Sequence, residues 1–328
     1  VAFGFKHLDL KLELSLKSDM KKVESLLRSH IEGDYPLVVE TSRHLVEAGG
    51  KRLRPLLTLI CAQFGNPNSP GIIEAAVVCE LTHLATLYHD DVMDEAPLRR
   101  GVESANSRWN NTVAILTGDY LFAKASDLLA DLGPEAVRLQ ARTFERLVIG
   151  QITETQGSTR GKTMLEHYLK VVADKTGSLI ATSARFGALL SGASDADVQA
   201  LTRFGEKIGV VFQLADDVID IASESNESGK TPGTDLREGV PTLVTLFILE
   251  SDDPADARLK EIISEPITDE AVVQEVLKTL RGHSAMQRSK DLLHQYSEAA
   301  RMEIEPLNDC AAKRALIELC ETIVTRTS

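Results

Sequence analysis

Asp90, Asp91 and Asp94 lie within five residues of one another in LYHDDVMDEAPLRRG, residues 87–101. On a helix, Asp90 and Asp94 stand one turn apart on the same face, with Asp91 about 100° round. Carboxylates so placed repel one another. At a helix C-terminus they also oppose the macrodipole, so they cost stability unless a cation joins them. Their oxygens suit hard ions, and Mg²⁺ takes one or two carboxylates, keeps waters and fills its shell with substrate phosphate. The pattern recurs as Asp216, Asp217 and Asp220 in DDVID, again closing an apolar run. One copy reads as well as a solvated helix end. Two copies, each after a strongly apolar stretch, point to an anionic ligand held through metal.

Cations accompany both clusters. Gly49-Gly50-Lys51-Arg52-Leu53-Arg54-Pro55 places three in four positions, Arg99 and Arg100 follow the first cluster, Lys175 opens a helix, and Lys230 follows the second cluster. Any one of them alone is an ordinary surface charge. As loop residues beside metal-binding acids they fit a pyrophosphate ligand, because guanidinium binds phosphate with two parallel hydrogen bonds. Gly229-Lys230-Thr231 is not a phosphate-cradling loop of the ATP-binding type: position 224 is Glu where that pattern needs Gly, and no strand precedes it.

The elements that must carry these residues are helices. From Gly71 to Asp94, Ile72, Ile73, Ala76, Val77, Leu81, Leu84 and Leu87 repeat at helical spacing, and Pro97 ends the run. Similar patterns occupy 16–31, 34–48, 55–64, 113–132, 134–157, 174–191, 195–223, 241–250, 268–281, 284–302 and 306–325. The stretch Leu8–Leu16 alternates with period two, which suggests an extended N-terminal arm over 1–15 or a fraying first helix. No composition break divides the chain, so the expectation is one all-α domain over 1–328.

Composition narrows the function classes. The 328 residues are 43% hydrophobic but only 5% aromatic, enough for a sizeable core of Leu, Val, Ile and Ala. A net charge of -13 argues against nucleic-acid binding, which needs clustered Lys and Arg. Cys61, Cys79, Cys310 and Cys320 form no CxxC pair and read as buried, reduced thiols. No stretch approaches the ~18 apolar residues of a membrane span. A soluble, cytoplasmic protein is the expectation.

GGKRLRP, HDDVMDEAPLRRG, GDYLFAKA, DKTGSL, FQLADDVIDI and GKTPGTDLREG follow in that order between Gly49 and Gly239. In this ordered set the sequence resembles the trans-isoprenyl diphosphate synthases, or polyprenyl synthetases. The resemblance implies mostly antiparallel helices around a deep central cavity, and a homodimer. It implies head-to-tail condensation of isopentenyl diphosphate with an allylic diphosphate, releasing pyrophosphate. Asp90, Asp91 and Asp94 match the first aspartate-rich motif and Asp216, Asp217 and Asp220 the second. Together they would hold Mg²⁺, three ions with diphosphate bound, and Asp216 matches the stronger ligand of the second group. Arg99, Lys175 and Lys230 match the clamp on the allylic diphosphate. Lys51, Arg54, His83 and Arg100 match the isopentenyl diphosphate site, while Thr176 and Gln213 match groups aimed at the developing carbocation. His83, taken by itself, reads as a core histidine.

Two positions depart from the family pattern: Val240 and Val244 stand where many members carry Lys and Pro, and Arg237 is the candidate to replace the missing cation. Short-chain members carry bulky aromatics four and five residues before the first aspartate. Here Thr86 and Ala85 stand there, so the resemblance implies a long-chain product, with Leu81, Val78 or Phe122 setting a deeper floor. The alternative reading of the small residues is that they merely permit close helix packing. Three rivals stay open. A short-chain synthase would share every motif. A terpene cyclase would want a hydroxyl where Asp220 stands and would leave GGKRLRP without a substrate. A non-catalytic helical subunit would be expected to have lost acids or cations that are intact here.

Overall fold

The computed structural model describes residues 5–158, 161, 163–223 and 232–327. Its helices are α1 (Leu10–His30), α2 (Pro36–Glu47), α3 (Leu53–Cys61), α4 (Ile72–Met93), α5 (Ala105–Arg108), α6 (Asn111–Leu132), α7 (Pro134–Gln156) and α8 (Met164–Val172). They continue as α9 (Ser178–Leu190), α10 (Asp195–Ala222), α11 (Thr234–Glu238), α12 (Leu243–Leu249), α13 (Ala257–Ile263), α14 (Glu270–Gly282), α15 (Ser284–Glu303) and α16 (Ala311–Thr325). Among the described residues the strands are β1 (Leu98–Arg99) and β2 (Val102–Glu103), a two-residue antiparallel ladder. The fold is all-α.

The chain forms two compact units. One holds the chain up to Glu145 with Leu179–Gly205 and Glu303–Glu318; the other holds Arg146–Ser178, Glu206–Met302 and the chain from Leu319 onward. Helices α7, α9, α10, α15 and α16 each have residues assigned to both units.

In the first unit α4 packs against α1, α3 and α6. Its residues Ala75–Leu81, Leu84, Ala85 and Tyr88 are buried, so it is apolar nearly all round and sits in the core. Helix α6 approaches it closely at Gly118, where a Cβ would strike the His89 ring and come within 3.0 Å of the Ala85 carbonyl oxygen. Only glycine tolerates that approach. Gln140 of α7 donates to Thr82 Oγ1 at 2.7 Å from the neighbouring turn.

The period-two stretch is helical rather than an extended arm. Asp9 caps α1 by accepting from Lys11 and Leu12 amides at 3.0 and 3.1 Å, and Leu12, Leu16, Val23 and Leu27 are the buried stripe. The alternating Leu10 and Leu14 are 69% and 59% exposed. Burial at i, i+4 spacing therefore overrode the local alternation.

The second unit's core is built from α10, α12 and α14, with Val211, Leu214, Val218, Ile221, Leu243, Val244, Ile248, Val273, Leu277 and Leu280 all buried. Helix α8, unforeseen by periodicity, begins with a capping box: Thr163 accepts from the Glu166 amide and Glu166 accepts from the Thr163 amide. Between α8 and α9 the chain makes one π-helical turn, Ala173–Gly177.

Candidate active site

Each unit carries one of the two aspartate clusters. In the first, α4 ends at Met93, which puts Asp90 and Asp91 in its last turn and makes Asp94 the cap. The three acids are not equivalent. Asp91 is fully buried, Asp90 is half-buried and Asp94 is exposed. Arg99 Nε donates to Asp91 Oδ1 at 2.6 Å. Burial raises the Asp91 carboxyl above the usual range against the pull of Arg99, and Asp94 adds to the rise. Among the described residues Asp91 Oδ2 has no hydrogen-bond partner although it is buried. A buried carboxylate oxygen without a donor is costly and fits a cation supplied from outside the chain.

The ladder after the cluster aims the two arginines. Arg99 pairs with Val102, so Arg100 and Gly101 form the two-residue turn, at φ 55° and 78°. Both central residues of a type I′ turn need positive φ, and an arginine bears that at a cost. Arg100 Nη1 donates to Leu45 O at 2.8 Å and to Gly49 O. A Cβ on Gly50 would come within 2.9 Å of that guanidinium. The GGKRLRP loop is thus shaped around Arg100.

Within that loop the cations divide by role. Arg52, buried and at φ 51°, binds Glu24 at 2.6 Å, Glu80 at 3.1 Å and the carbonyls of Gly49 and Val46. It is spent on structure. Arg54 has a buried Nε with no partner among the described residues. Half-buried His83 is held well below the usual imidazole range, first by burial and then by Arg54, Arg100, Arg99 and Arg52. Its ring is therefore neutral, disfavoured as a cation by the surrounding burial and by those arginine charges. Lys51 lines a groove of about 820 Å³ whose other wall includes Lys17, Met20, Lys21 and Glu24 of α1.

In the second unit Asp217 is the enclosed acid. It accepts from Gln213 Nε2 at 3.0 Å, the Leu243 amide at 3.1 Å and the Tyr168 hydroxyl. Burial pushes its carboxyl up to about 6, opposed by those donors and aided by Asp216. Asp220, also buried, accepts the amides of Thr234 and Asp235 at 3.2 and 3.3 Å, which caps α11. Half-buried Asp216 has Arg326 3.7 Å away. Lys175 and Thr176 sit on the π-turn, and Lys175 Nζ donates to Glu154 Oε2 at 2.7 Å. Gln213 is tied to Asp217. Lys230 lies outside the described residues.

Among the described residues no three His, Cys, Asp or Glu side chains are gathered to hold an ion by themselves. A hard cation at either cluster would need substrate or water oxygens to complete its shell. Arg237 binds Glu270 at 2.8 Å and Pro232 O at 2.7 Å, so its guanidinium is committed rather than replacing a cation at exposed Val240. Of the chain-length positions, Leu81, Val78 and Ala85 are fully buried; Thr86 is half-buried and donates to His83 O at 2.8 Å. The Phe122 ring lies 5.7 Å from His89 and 4.6 Å from Phe144. Sequence reasoning overlooked Tyr168, Glu154 and Arg326, whose partners lie 49, 21 and 110 residues away, beyond any local pattern.

The sequence profile of polyprenyl synthetases matches residues 35–280, which include both clusters. The chain belongs to the polyprenyl synthetase family. It is 48% identical over 319 residues to a nonaprenyl diphosphate synthase of Mycobacterium tuberculosis, covering 97% of this chain and 95% of that one. A geranylgeranyl pyrophosphate synthase from Corynebacterium glutamicum, solved in complex with calcium and isoprenyl diphosphate, superposes with a TM-score of 0.87 at 43% identity, covering 98% and 99% of the two chains. A decaprenyl diphosphate synthase from Rhodobacter capsulatus reaches the same TM-score at 31% identity, covering 97% and 99%. Synthases of both short and long products thus share this polyprenyl synthetase fold.

Proposed function

We propose that this prenyltransferase condenses isopentenyl diphosphate head-to-tail with an allylic diphosphate to give a long-chain all-trans polyprenyl diphosphate and pyrophosphate. The observation that carries the reading is the paired pattern of acids, each cluster joining buried aspartate to at least one more accessible neighbour: Asp91 beside Asp90 and Asp94, and Asp217 and Asp220 beside Asp216. Asp90, Asp91 and Asp94 in one cluster and Asp216, Asp217 and Asp220 in the other would hold Mg²⁺, three ions in all, with the orphaned Asp91 Oδ2 available to one of them. Asp217 is itself braced by Tyr168 and Gln213, and Asp220 also holds the start of α11 in register. Bound Mg²⁺ supplies charge neutralisation on the departing diphosphate.

The chain's own groups do the rest. Lys175 and Arg99, with Lys230, bind the allylic diphosphate, so the C–O bond breaks to leave an allylic cation facing Thr176 and Gln213. Arg54 Nε, Arg100, Lys51 and neutral His83 hold isopentenyl diphosphate, whose double bond attacks that cation. The proton then lost goes to the departing pyrophosphate, and no protein base is needed. The long product rests on small Ala85 and Thr86, with Leu81 and Phe122 as deeper limits, and on the likeness to the nonaprenyl enzyme. The functional protein is a single-domain homodimer in the cytoplasm; no helix among the described residues is long and apolar enough to cross a membrane.

Incubation with labelled isopentenyl diphosphate, an allylic primer and Mg²⁺, followed by product sizing, tests this. Products of about seven or more isoprene units are expected. A cyclic hydrocarbon would establish a cyclase instead, and absence of turnover a scaffold.

A further inference from the structure

Helix α7 lays one stripe against the π-turn that carries Lys175 and Thr176. Arg146, Gly150 and Glu154 are spaced four residues apart, so they share a face. Glu154 holds Lys175 Nζ at 2.7 Å. A Cβ on Gly150 would come within 2.7 Å of the Lys175 amide nitrogen and 3.0 Å of Asp174 Cβ, so glycine alone permits the approach. Arg146 makes the widest set of contacts. Its Nε donates to Asp174 Oδ1 at 2.6 Å, its Nη2 to Glu206 Oε2 at 2.9 Å and to Ala173 O at 3.3 Å, and its Nη1 to Glu206 Oε1. Asp174, 3% exposed, also accepts from Lys170 Nζ, and its carbonyl accepts from Ser178 Oγ at 2.5 Å.

A π-turn inserts one residue into a helix, is rare, and rotates the succeeding helix by about 100°. Something must hold such a turn against relaxing to the regular helix that α8 and α9 would otherwise make continuously. The guanidinium fork can do this because it grips Asp174 inside the turn and Glu206 on α10 at once, with the Ala173 carbonyl satisfied. A lysine could reach one acid but not match the fork.

We infer that Arg146 is a positioning residue: by joining Asp174 and Glu206 it holds the π-turn that presents Lys175 and Thr176 to the allylic diphosphate. The inference rests on the proposed role of Lys175. It predicts a selective effect, because the groups proposed for isopentenyl diphosphate belong to the other unit and do not depend on the turn.

The test compares Arg146→Gln, Arg146→Lys, Glu206→Gln and Lys175→Ala in steady-state kinetics with each substrate varied, alongside thermal melting. Arg146→Gln should lower kcat/KM for the allylic diphosphate by between about tenfold and a hundredfold, the range for a misplaced reacting group. The KM for isopentenyl diphosphate should stay within about twofold, and Arg146→Lys should recover part of the loss. In the background of Lys175→Ala, Arg146→Gln should cost less than it does in the parent, since one of the two groups it positions is gone. Equal losses toward both substrates, full additivity with Lys175→Ala, or wild-type kinetics in Arg146→Gln would each overturn the inference. If Arg146→Gln does not fold, Glu206→Gln, which leaves Arg146 on Asp174, carries the same selectivity test. A Lys175→Ala enzyme with unaltered allylic kinetics would instead overturn the assigned role of Lys175.

Discussion

At the scale of residues, burial distinguishes acids and cations that look alike in sequence. Asp91 in one cluster and Asp217 and Asp220 in the other are the enclosed acids, and Arg52 is a structural cation between two candidate binding ones. His83 makes the consequence measurable. Its pKa is depressed in the folded chain from an ordinary 6.5, so below about pH 6.5 the unfolded chain takes up a proton that the folded chain refuses. The contribution is full above that pH and is lost as the medium is acidified. Between pH 7.5 and 5.5 the parent should lose roughly 1 kcal/mol more stability than His83→Gln, read from urea midpoints. Equal losses in both proteins would contradict a neutral, half-buried imidazole.

At the scale of elements, α4 has two working faces. Ala85 and His89 face α6, where Gly118 brings the backbones together, and Thr82 one turn earlier accepts from Gln140 of α7. Thr86 instead lies one turn before Asp90 on the same face and is half-buried. Thr86→Phe and Ala85→Phe should both shorten the prenyl product, seen as an earlier end to the ladder on reverse-phase chromatography. Ala85→Phe should also lower the melting temperature, since overpacking a tight helix contact costs about 1–3 kcal/mol. An unchanged ladder in both variants would remove these positions as the product ruler. The existence of α4, α6, α7 and α10 was legible in apolar spacing to within a few residues. Helix α8 and the π-turn were not, because nine residues give too little periodicity and a π-turn depends on partners held by other helices.

At the scale of the molecule, Ile115 and Leu116 of α6 are 42% and 60% exposed. Adjacent large apolar groups on a core helix are what a second copy would cover, each already partly buried and so gaining about half of the 1.5–3 kcal/mol of a full burial. Sedimentation should give twice the 35.8 kDa chain mass, and Ile115→Asp with Leu116→Asp should shift it toward one. A monomeric parent would contradict the homodimer.

The amino-acid sequence by itself determined the helical class, the two aspartate clusters at helix ends and the family they belong to. Those features follow from hydrogen bonding four residues apart and from the spacing of apolar side chains, both local. Only the tertiary structure decided that Asp217 is bound by Tyr168 and Gln213, that Arg100 is locked to the Gly49 loop and that Lys175 rides on a turn held by Arg146. Partnership between charges is set by distance and burial, and those exist only once remote segments have packed together.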